Sequence, residues 1–176
     1  MRLAAHGLEI ELPPGWSGRA FRRAAGAATL HAGDFQLPLE DGEFGGRSTL
    51  SMPPGSTFLA LTEYRPGAGL EPGQGLFASR RIPRTLDPTG FSPRGLAHPR
   101  PGLAGAQRFF TAAGRPLCLY VVVSGTRAER RRQLAVLTHV LRSLRVQPGA
   151  SVPVYVAASC PSTATHGVRL SRDVLT

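Results

Sequence analysis

The chain has 176 residues, 41% of them hydrophobic, which is enough for a single globular domain with a buried core. Its formal charge of +10 rests entirely on arginine, because the sequence contains no lysine. The absence of lysine excludes a Walker-type phosphate site, Schiff-base catalysis and pyridoxal phosphate chemistry in this chain, since each depends on a lysine amine.

Two explanations of the positive charge remain open. Asparagine is missing as well as lysine, a bias typical of a GC-rich genome such as that of an actinobacterium, and codon usage alone would then account for the arginines. The charge is also unevenly distributed: residues 1–60 carry five arginines and six acidic residues, whereas 101–147 carry eight arginines and one acidic residue. A basic half attracts a nucleic acid or an acidic protein, including the acidic half of a second copy.

The first hundred residues predict short strands joined by turns. Leu8, Ile10 and Leu12 alternate with glutamates, as in a half-buried strand. Further strands are predicted at 18–23, 28–32, 34–37 and 48–52. The stretch 57–64 is apolar on both faces, which indicates a central strand that is covered on both sides. Glycine and proline recur through 65–105, a composition typical of long loops.

The densest apolar sequence runs from Gln107 to Val146. Residues 106–111 and 117–123 flank a Gly-Arg-Pro turn and predict an antiparallel hairpin. Thr126 with Glu129 three residues later forms a capping box and starts a helix over 126–144, in which leucines recur every three or four residues. So broad an apolar face predicts that this helix lies across the hairpin. A short strand is predicted to follow at 144–146.

Together these elements predict an α+β fold. A single domain over 1–147 has a central, mainly antiparallel sheet covered by the long C-terminal helix, with room for short extra helices. Residues 148–176 are expected to be an appendage, with an edge strand at 152–156 and then a partly ordered tail. Two cysteines, Cys118 and Cys160, are too few for a disulfide framework.

The expected location is the cytoplasm. The first residues lack the apolar core of a secretory signal. The longest apolar run has seven residues, far below the roughly 20 that span a bilayer, so no membrane span is expected.

The two ends of this predicted domain resemble a known fold. The resemblance rests on the first amphipathic strand with Leu12, Pro13, Pro14, Gly15 and Trp16 after it, and on the closing strand pair, helix and short strand. Together they resemble the Mog1/PsbP-like α/β sandwich, a central antiparallel sheet flanked by helices. The chain departs from that fold between Trp16 and Thr126, where no helix stands out. The resemblance implies a binding or accessory role and names no ligand.

Candidate binding residues are scattered along the chain, and no catalytic or metal-binding motif is present. His31 and Asp34, close to an acidic loop, are weak candidates for metal ligands. The alternative is a solvated loop beside a strand histidine. Arg65, Arg81 and Arg84 are candidates for an anion site, with strand-end ion pairs as the alternative. No cofactor is expected.

Arg130, Arg131 and Arg132 are oddly placed in the first turns of the predicted helix. Positive charge there opposes the helix dipole, at a cost of about 0.3–1 kcal/mol per charge. Such a cost would be offset by a partner with negative charge, either an acidic protein or a phosphate backbone; the alternative, which the codon bias favours, is a solvated arginine run with no partner.

Three functions are compatible with these features. The favoured one is a non-enzymatic binding or assembly module that forms homo-oligomers or belongs to a larger protein complex. The second is a nucleic-acid-associated protein that uses the arginine-rich surface of 101–147. The third is a small enzyme with a pocket near His31, Glu63, Tyr64 and Arg65.

Overall fold

A computed structural model describes residues 1–24, 27–67 and 69–149 of the protein. Over these residues it forms two antiparallel sheets and one long helix around a common core, which confirms the predicted α+β fold. The predicted appendage from residue 150 onward, with its edge strand at 152–156 and Cys160, lies outside the described residues.

The elements follow one another in chain order. The strands are β1 Arg2–Ala5, β2 Leu8–Glu11, β3 Ser17–Arg22, β4 Ala28–Gly33, β5 Thr57–Glu63, β6 Leu103–Ala112, β7 Arg115–Ser124 and β8 Arg145–Val146. The α-helices are α1 Gly46–Leu50 and α2 Arg127–Ser143. Single turns of 3₁₀ helix occur at Gly75–Phe77, Pro88–Gly90 and Pro93–Gly95.

The main sheet has the strand order β3-β4-β5-β7-β6. Its central strand is β5, of which every residue except Glu63 is buried, so the prediction of a strand covered on both sides is confirmed. Side chains alternate between the faces of a strand, and the two faces have different covers. One face, with Leu59 and Val121, packs under α2; the other, with Phe58 and Tyr120, packs under the loops that precede and follow α1.

Helix α2 begins at the predicted capping box. The Thr126 amide donates to Glu129 Oε2 at 2.6 Å, and the Glu129 amide donates to Thr126 Oγ1 at 3.4 Å. The buried face of the helix consists of Leu134, Leu137, Val140 and Leu141, which share a core with β5, β6 and β7. Helix α2 and the hairpin of β6 and β7 therefore lie where the sequence predicts them. Val136 is 44% exposed and does not belong to the buried face of α2.

The N-terminal strand β1 was not predicted from the sequence. It belongs to a second sheet of three strands, in the order β1-β2-β8. The turn from β1 to β2 is made by His6 and Gly7, which both have positive φ, at 54° and 75°. That conformation matches the right-handed twist of a two-residue hairpin. The predicted last strand pairs with β2 and so ties the end of α2 to this small sheet.

Two predicted strands are wrong. Residues 48–52 were predicted as a strand, but Ser48, Thr49 and Leu50 lie in α1, because Asp41 accepts the Arg47 and Ser48 amides and so caps the helix from outside it. Residues 34–37 leave the sheet at once, because the Asp34 carboxylate turns back to accept the Thr57 amide at 2.8 Å. Both errors arise from hydrogen bonds between residues distant in sequence.

Candidate functional site

The four residues of the predicted enzyme pocket do not converge. His31 is paired with Ala60, and Ala60 and Glu63 lie an odd number of residues apart on β5, so His31 and Glu63 occupy opposite faces of the sheet. The ring of Tyr64 packs against the ring of Phe77, with the two centroids 5.4 Å apart, and Arg65 is exposed.

Glu63 holds a structural ion pair. Its carboxylate accepts from Arg115 Nε and Nη2 at 2.8 and 2.9 Å, and from the Ala28 amide at 3.0 Å. Burial opposes ionisation, but these hydrogen bonds outweigh it and hold the pKa of Glu63 below its usual value. Arg115 is only 4% exposed, so its guanidinium is paired with Glu63 and cannot contact a binding partner.

His31 is fully buried between the rings of Phe21 and Phe58, each with its centroid 5.2 Å from the imidazole. Its Nε2 lies 3.1 Å from the carbonyl oxygen of Glu43. Burial lowers the pKa of His31 to about 4, so the ring is neutral at pH 7 and donates through Nε2. Among the described residues, no three His, Cys, Asp or Glu side chains gather as a metal site would need.

Of the three arginines of the predicted anion site, Arg84 already has a partner within the chain. Arg84 Nη1 donates to the carbonyl oxygen of Arg142 at 2.5 Å, in the last turn of α2, where carbonyl groups lack partners within the helix. Arg65 and Arg81 are exposed. Arg84 thus has a structural use at one end of α2.

The other end of α2 is surrounded by three adjoining cavities. The first, about 370 Å³, is lined by Trp16, Asp34, Gly55, Thr57, Glu129, Arg132, Gln133 and Val136. The second, about 390 Å³, shares Glu129 with the first and is lined also by Met52, Pro54, Pro101, Gly102, Leu103, Ser124, Gly125 and Thr126. The third, about 370 Å³, shares residues 101–103 with the second and is lined also by Pro93, Pro99, Arg100 and Arg130. We call the surface formed by these three cavities the α2 groove.

Hydrogen bonds hold the floor of the α2 groove in place. The Ser56 amide donates to Ser124 Oγ at 3.0 Å, and Ser124 Oγ donates to the carbonyl oxygen of Pro53 at 2.9 Å. Gln133 Nε2, from α2, donates to the carbonyl oxygen of Ser124 at 2.9 Å. The turn before β5, the end of β7 and the second turn of α2 are therefore linked to one another, and the groove is preformed.

The two acids of the α2 groove are already engaged. The carboxylate of Glu129 accepts from Thr126 N and Oγ1, and these hydrogen bonds lower its pKa. Asp34 Oδ1 accepts the Thr57 amide, and partial burial raises the pKa of Asp34. Neither acid forms an ion pair with an arginine in the described part of the chain.

Five arginines near this end of α2, by contrast, form no ion pair with an acid among the described residues. They are Arg100, Arg127, Arg130, Arg131 and Arg132, of which Arg100, Arg130 and Arg132 line the cavities. The Nε groups of Arg100 and Arg130 are buried donors without a hydrogen bond, and both side chains line the third cavity. A buried donor without an acceptor costs about 1–3 kcal/mol, so an anion that bound here would remove a penalty as well as adding an attraction.

Of the predicted run Arg130, Arg131 and Arg132, the first and the last line cavities, whereas Arg131 is exposed and lines none of the three. The apolar part of the groove was missed. It is built from Trp16, Met52, Pro54 and Leu103, which come from three separate parts of the chain: the end of the loop before β3, the loop between α1 and β5, and the start of β6. The one available signal was the presence of large apolar residues next to prolines and glycines, outside any periodic pattern.

In comparisons with known protein families, curated proteins and solved structures, the chain matches none. The resemblance to the Mog1/PsbP-like sandwich thus stays a prediction from the sequence. Among the described residues, no helix is both long and apolar enough to cross a membrane.

Proposed function

We propose that this protein is a non-enzymatic binding module whose α2 groove holds an acidic, partly apolar segment of a protein. The observation that carries the proposal is that three arginines without an ion pair, Arg100, Arg130 and Arg132, line preformed cavities that adjoin an apolar one. Arginine is suited to such a role because its guanidinium binds carboxylates through two parallel hydrogen bonds.

The cavities have the right size and composition for side chains. Volumes near 370–390 Å³ lie within the range of about 300–1,000 Å³ usual for ligand sites. Met52, Pro54 and Leu103 give the second cavity an apolar lining, and Arg100 and Arg130 stand beside it in the third. Apolar anchors next to unpaired cations are complementary to a segment in which leucine-like side chains alternate with glutamate or aspartate.

A nucleic acid is the second candidate, and the placement of the arginines favours it less. The basic residues of 101–147 do not share one face: Arg115 is buried against Glu63, Arg142 lies in the last turn of α2, and Arg145 lies just after it. A 17-residue helix is about 25 Å long, so these two stand well away from Arg130. The cluster that remains is compact and interleaved with apolar cavities.

Fluorescence anisotropy tests the proposal directly. A labelled peptide of alternating glutamate and leucine and a labelled single-stranded oligonucleotide of equal charge are titrated with the full chain at several salt concentrations. We expect the peptide to bind, and the double variant Arg130→Glu, Arg131→Glu to weaken binding by about tenfold or more.

The matched control is the double variant Arg65→Glu, Arg142→Glu, which makes the same charge change at exposed positions outside the α2 groove. It should leave peptide affinity within about twofold. Equal losses in the two variants would mean that net charge, and not the groove, attracts the peptide. Binding of the oligonucleotide alone, falling steeply with salt, would replace this proposal by the nucleic-acid function.

A further inference from the structure

One loop of the protein itself has the composition that the α2 groove requires. Residues 38–43, which we call the acidic loop, contain Leu39, Glu40, Asp41 and Glu43. Leu39 is 94% exposed, more than any other large hydrophobic residue in the described part of the chain, and the side chain of Glu40 is 87% exposed. The Glu40 carboxylate lies 3.6 Å from Arg47 Nη1 in an ion pair that is exposed on both sides, and such a surface pair is weak enough to exchange for another cation. An apolar side chain in water beside an exposed carboxylate is what an apolar, cationic groove would bind.

Hydrogen bonds hold the chain on both sides of Leu39 and Glu40. Asp41 Oδ1 accepts the amides of Gly42 and Arg47 at 2.8 and 2.9 Å, and Oδ2 accepts the amide and hydroxyl of Ser48 at 2.9 and 2.5 Å. Partial burial opposes ionisation of Asp41, but these donors outweigh it, and its pKa is lowered. The Leu37 amide donates to Ser17 Oγ at 3.1 Å, and Leu37 itself is buried.

The second half of the loop is anchored on the main sheet. The carbonyl oxygen of Glu43 accepts from His31 Nε2 at 3.1 Å and from Thr62 Oγ1 at 3.2 Å. The Glu43 carboxylate pairs with Arg23 Nη1 at 2.5 Å. Leu39 and Glu40 thus project from a loop that is fixed on both sides. A preformed loop loses little conformational freedom on binding, which favours recognition.

We infer that the occupant of the α2 groove is the acidic loop of a second copy of this chain. Leu39 enters the second cavity, against Met52 and Pro54, and Glu40 faces Arg100 and Arg130. The loop cannot be filling the groove of its own copy, since Leu39 is almost fully exposed in the structure. This inference rests on the proposed function and names its partner.

The loop and the groove are different surfaces of the same copy, so two arrangements satisfy this contact. In a two-fold dimer each loop enters the groove of the partner, and in a head-to-tail assembly each copy contacts one neighbour through its loop and another through its groove. In both arrangements a copy without its loop can still bind a copy without its groove, which a loop-to-loop contact does not allow.

Sedimentation velocity with two complementary variants tests it. The loop variant, Leu39→Ala with Glu40→Arg, keeps an intact groove; the groove variant, Arg130→Glu with Arg131→Glu, keeps an intact loop. We expect the unaltered chain to self-associate and each variant alone to sediment as a monomer. Mixed together, the two variants should form a 1:1 dimer and nothing larger, because one intact loop and one intact groove remain. The variant Arg65→Glu, Arg142→Glu should associate like the unaltered chain.

An unaltered chain that stays monomeric up to about 200 µM, a range that covers weak but specific association, overturns the inference. So does association that neither variant changes, or a mixture of the variants that remains monomeric. Circular dichroism of both variants should match that of the unaltered chain, so that loss of association is not loss of fold. If self-association is absent while the acidic peptide still binds in a groove-dependent way, the proposed function stands and only its assignment to a second copy fails.

Discussion

His31 should make the stability of the protein depend on pH well above the range in which carboxylates titrate. The pKa of His31 is about 4 in the folded protein, because burial disfavours the charged ring, and 6.5 in the unfolded chain. Two neighbouring charges oppose each other: Asp41 raises the pKa and Arg19 lowers it. Replacing His31 with glutamine removes the titration and leaves an amide nitrogen that can donate to the Glu43 carbonyl in place of Nε2.

The sign of the effect follows from proton uptake. Between pH 6.5 and about 4 the unfolded chain binds a proton at this position and the folded chain does not, so the folded state loses stability as the pH falls through that window. Because the pKa of His31 is about 4 in the folded protein and 6.5 in the unfolded chain, the free energy of unfolding is lowered by about 2 kcal/mol at pH 5 and by almost nothing at pH 7.5. The carboxylates with lowered pKa values, Glu63 and Asp41, lose their contribution only at lower pH, because their unfolded values lie near 4.

The assay is urea unfolding at pH 7.5 and pH 5, followed by circular dichroism at 222 nm for α2 and by the fluorescence of Trp16. When the pH is lowered from 7.5 to 5, we expect the free energy of unfolding of the unaltered protein to fall by about 2 kcal/mol more than that of the His31→Gln variant. The other histidines are present in both proteins and cancel in the comparison. Parallel pH profiles for the two proteins would refute the claim that His31 is buried in the neutral form.

Three further stability predictions use the same unfolding assay at pH 7.5. Leu137→Ala, in the buried face of α2, should lower the free energy of unfolding by about 2–5 kcal/mol. Val136→Ala, one residue away on the exposed side, should change it by less than about 0.5 kcal/mol. Similar losses in the two variants would mean that α2 does not pack on the sheet through the face that contains Leu137. Thr126→Ala removes half of the capping box and should cost about 1 kcal/mol, which Thr126→Ser should largely restore. Glu63→Gln should cost about 3–5 kcal/mol, because it leaves the buried charge of Arg115 without its partner, and an unchanged midpoint would show that Arg115 is solvated.

The sequence predicts the elements whose pattern is local. Helix α2 was found because its capping box and its buried leucines lie within 126–144, and β5 because both of its faces are apolar. Helix α1 was missed because its amide groups are capped by Asp41, which precedes the helix by several residues. The strand predicted at 48–52 took no account of these hydrogen bonds.

The candidate site was only half predictable for the same reason. Arg130, Arg131 and Arg132 stand out because they conflict with the helix dipole, a local property. The apolar lining from Trp16, Met52 and residues 101–103 becomes one surface only through the fold. His31 was considered as a metal ligand because it precedes an acidic loop. In the structure its Nε2 donates instead to the carbonyl oxygen of Glu43, and this hydrogen bond fixes the loop.

Codon usage would explain how many arginines the chain contains, but not where they lie. Arg23 and Arg115 are paired with acids, and Arg84 completes the last turn of α2. Other arginines away from the α2 groove, such as Arg65 and Arg81, form no ion pair in the described part of the chain, so a missing acidic partner does not by itself mark a binding surface. Arg100, Arg130 and Arg132 differ from them because they line cavities, and the two at the first turns of α2 also lie where the helix dipole opposes their charge. Their position at a concave surface is therefore a stronger argument for a partner at the α2 groove than the net charge itself.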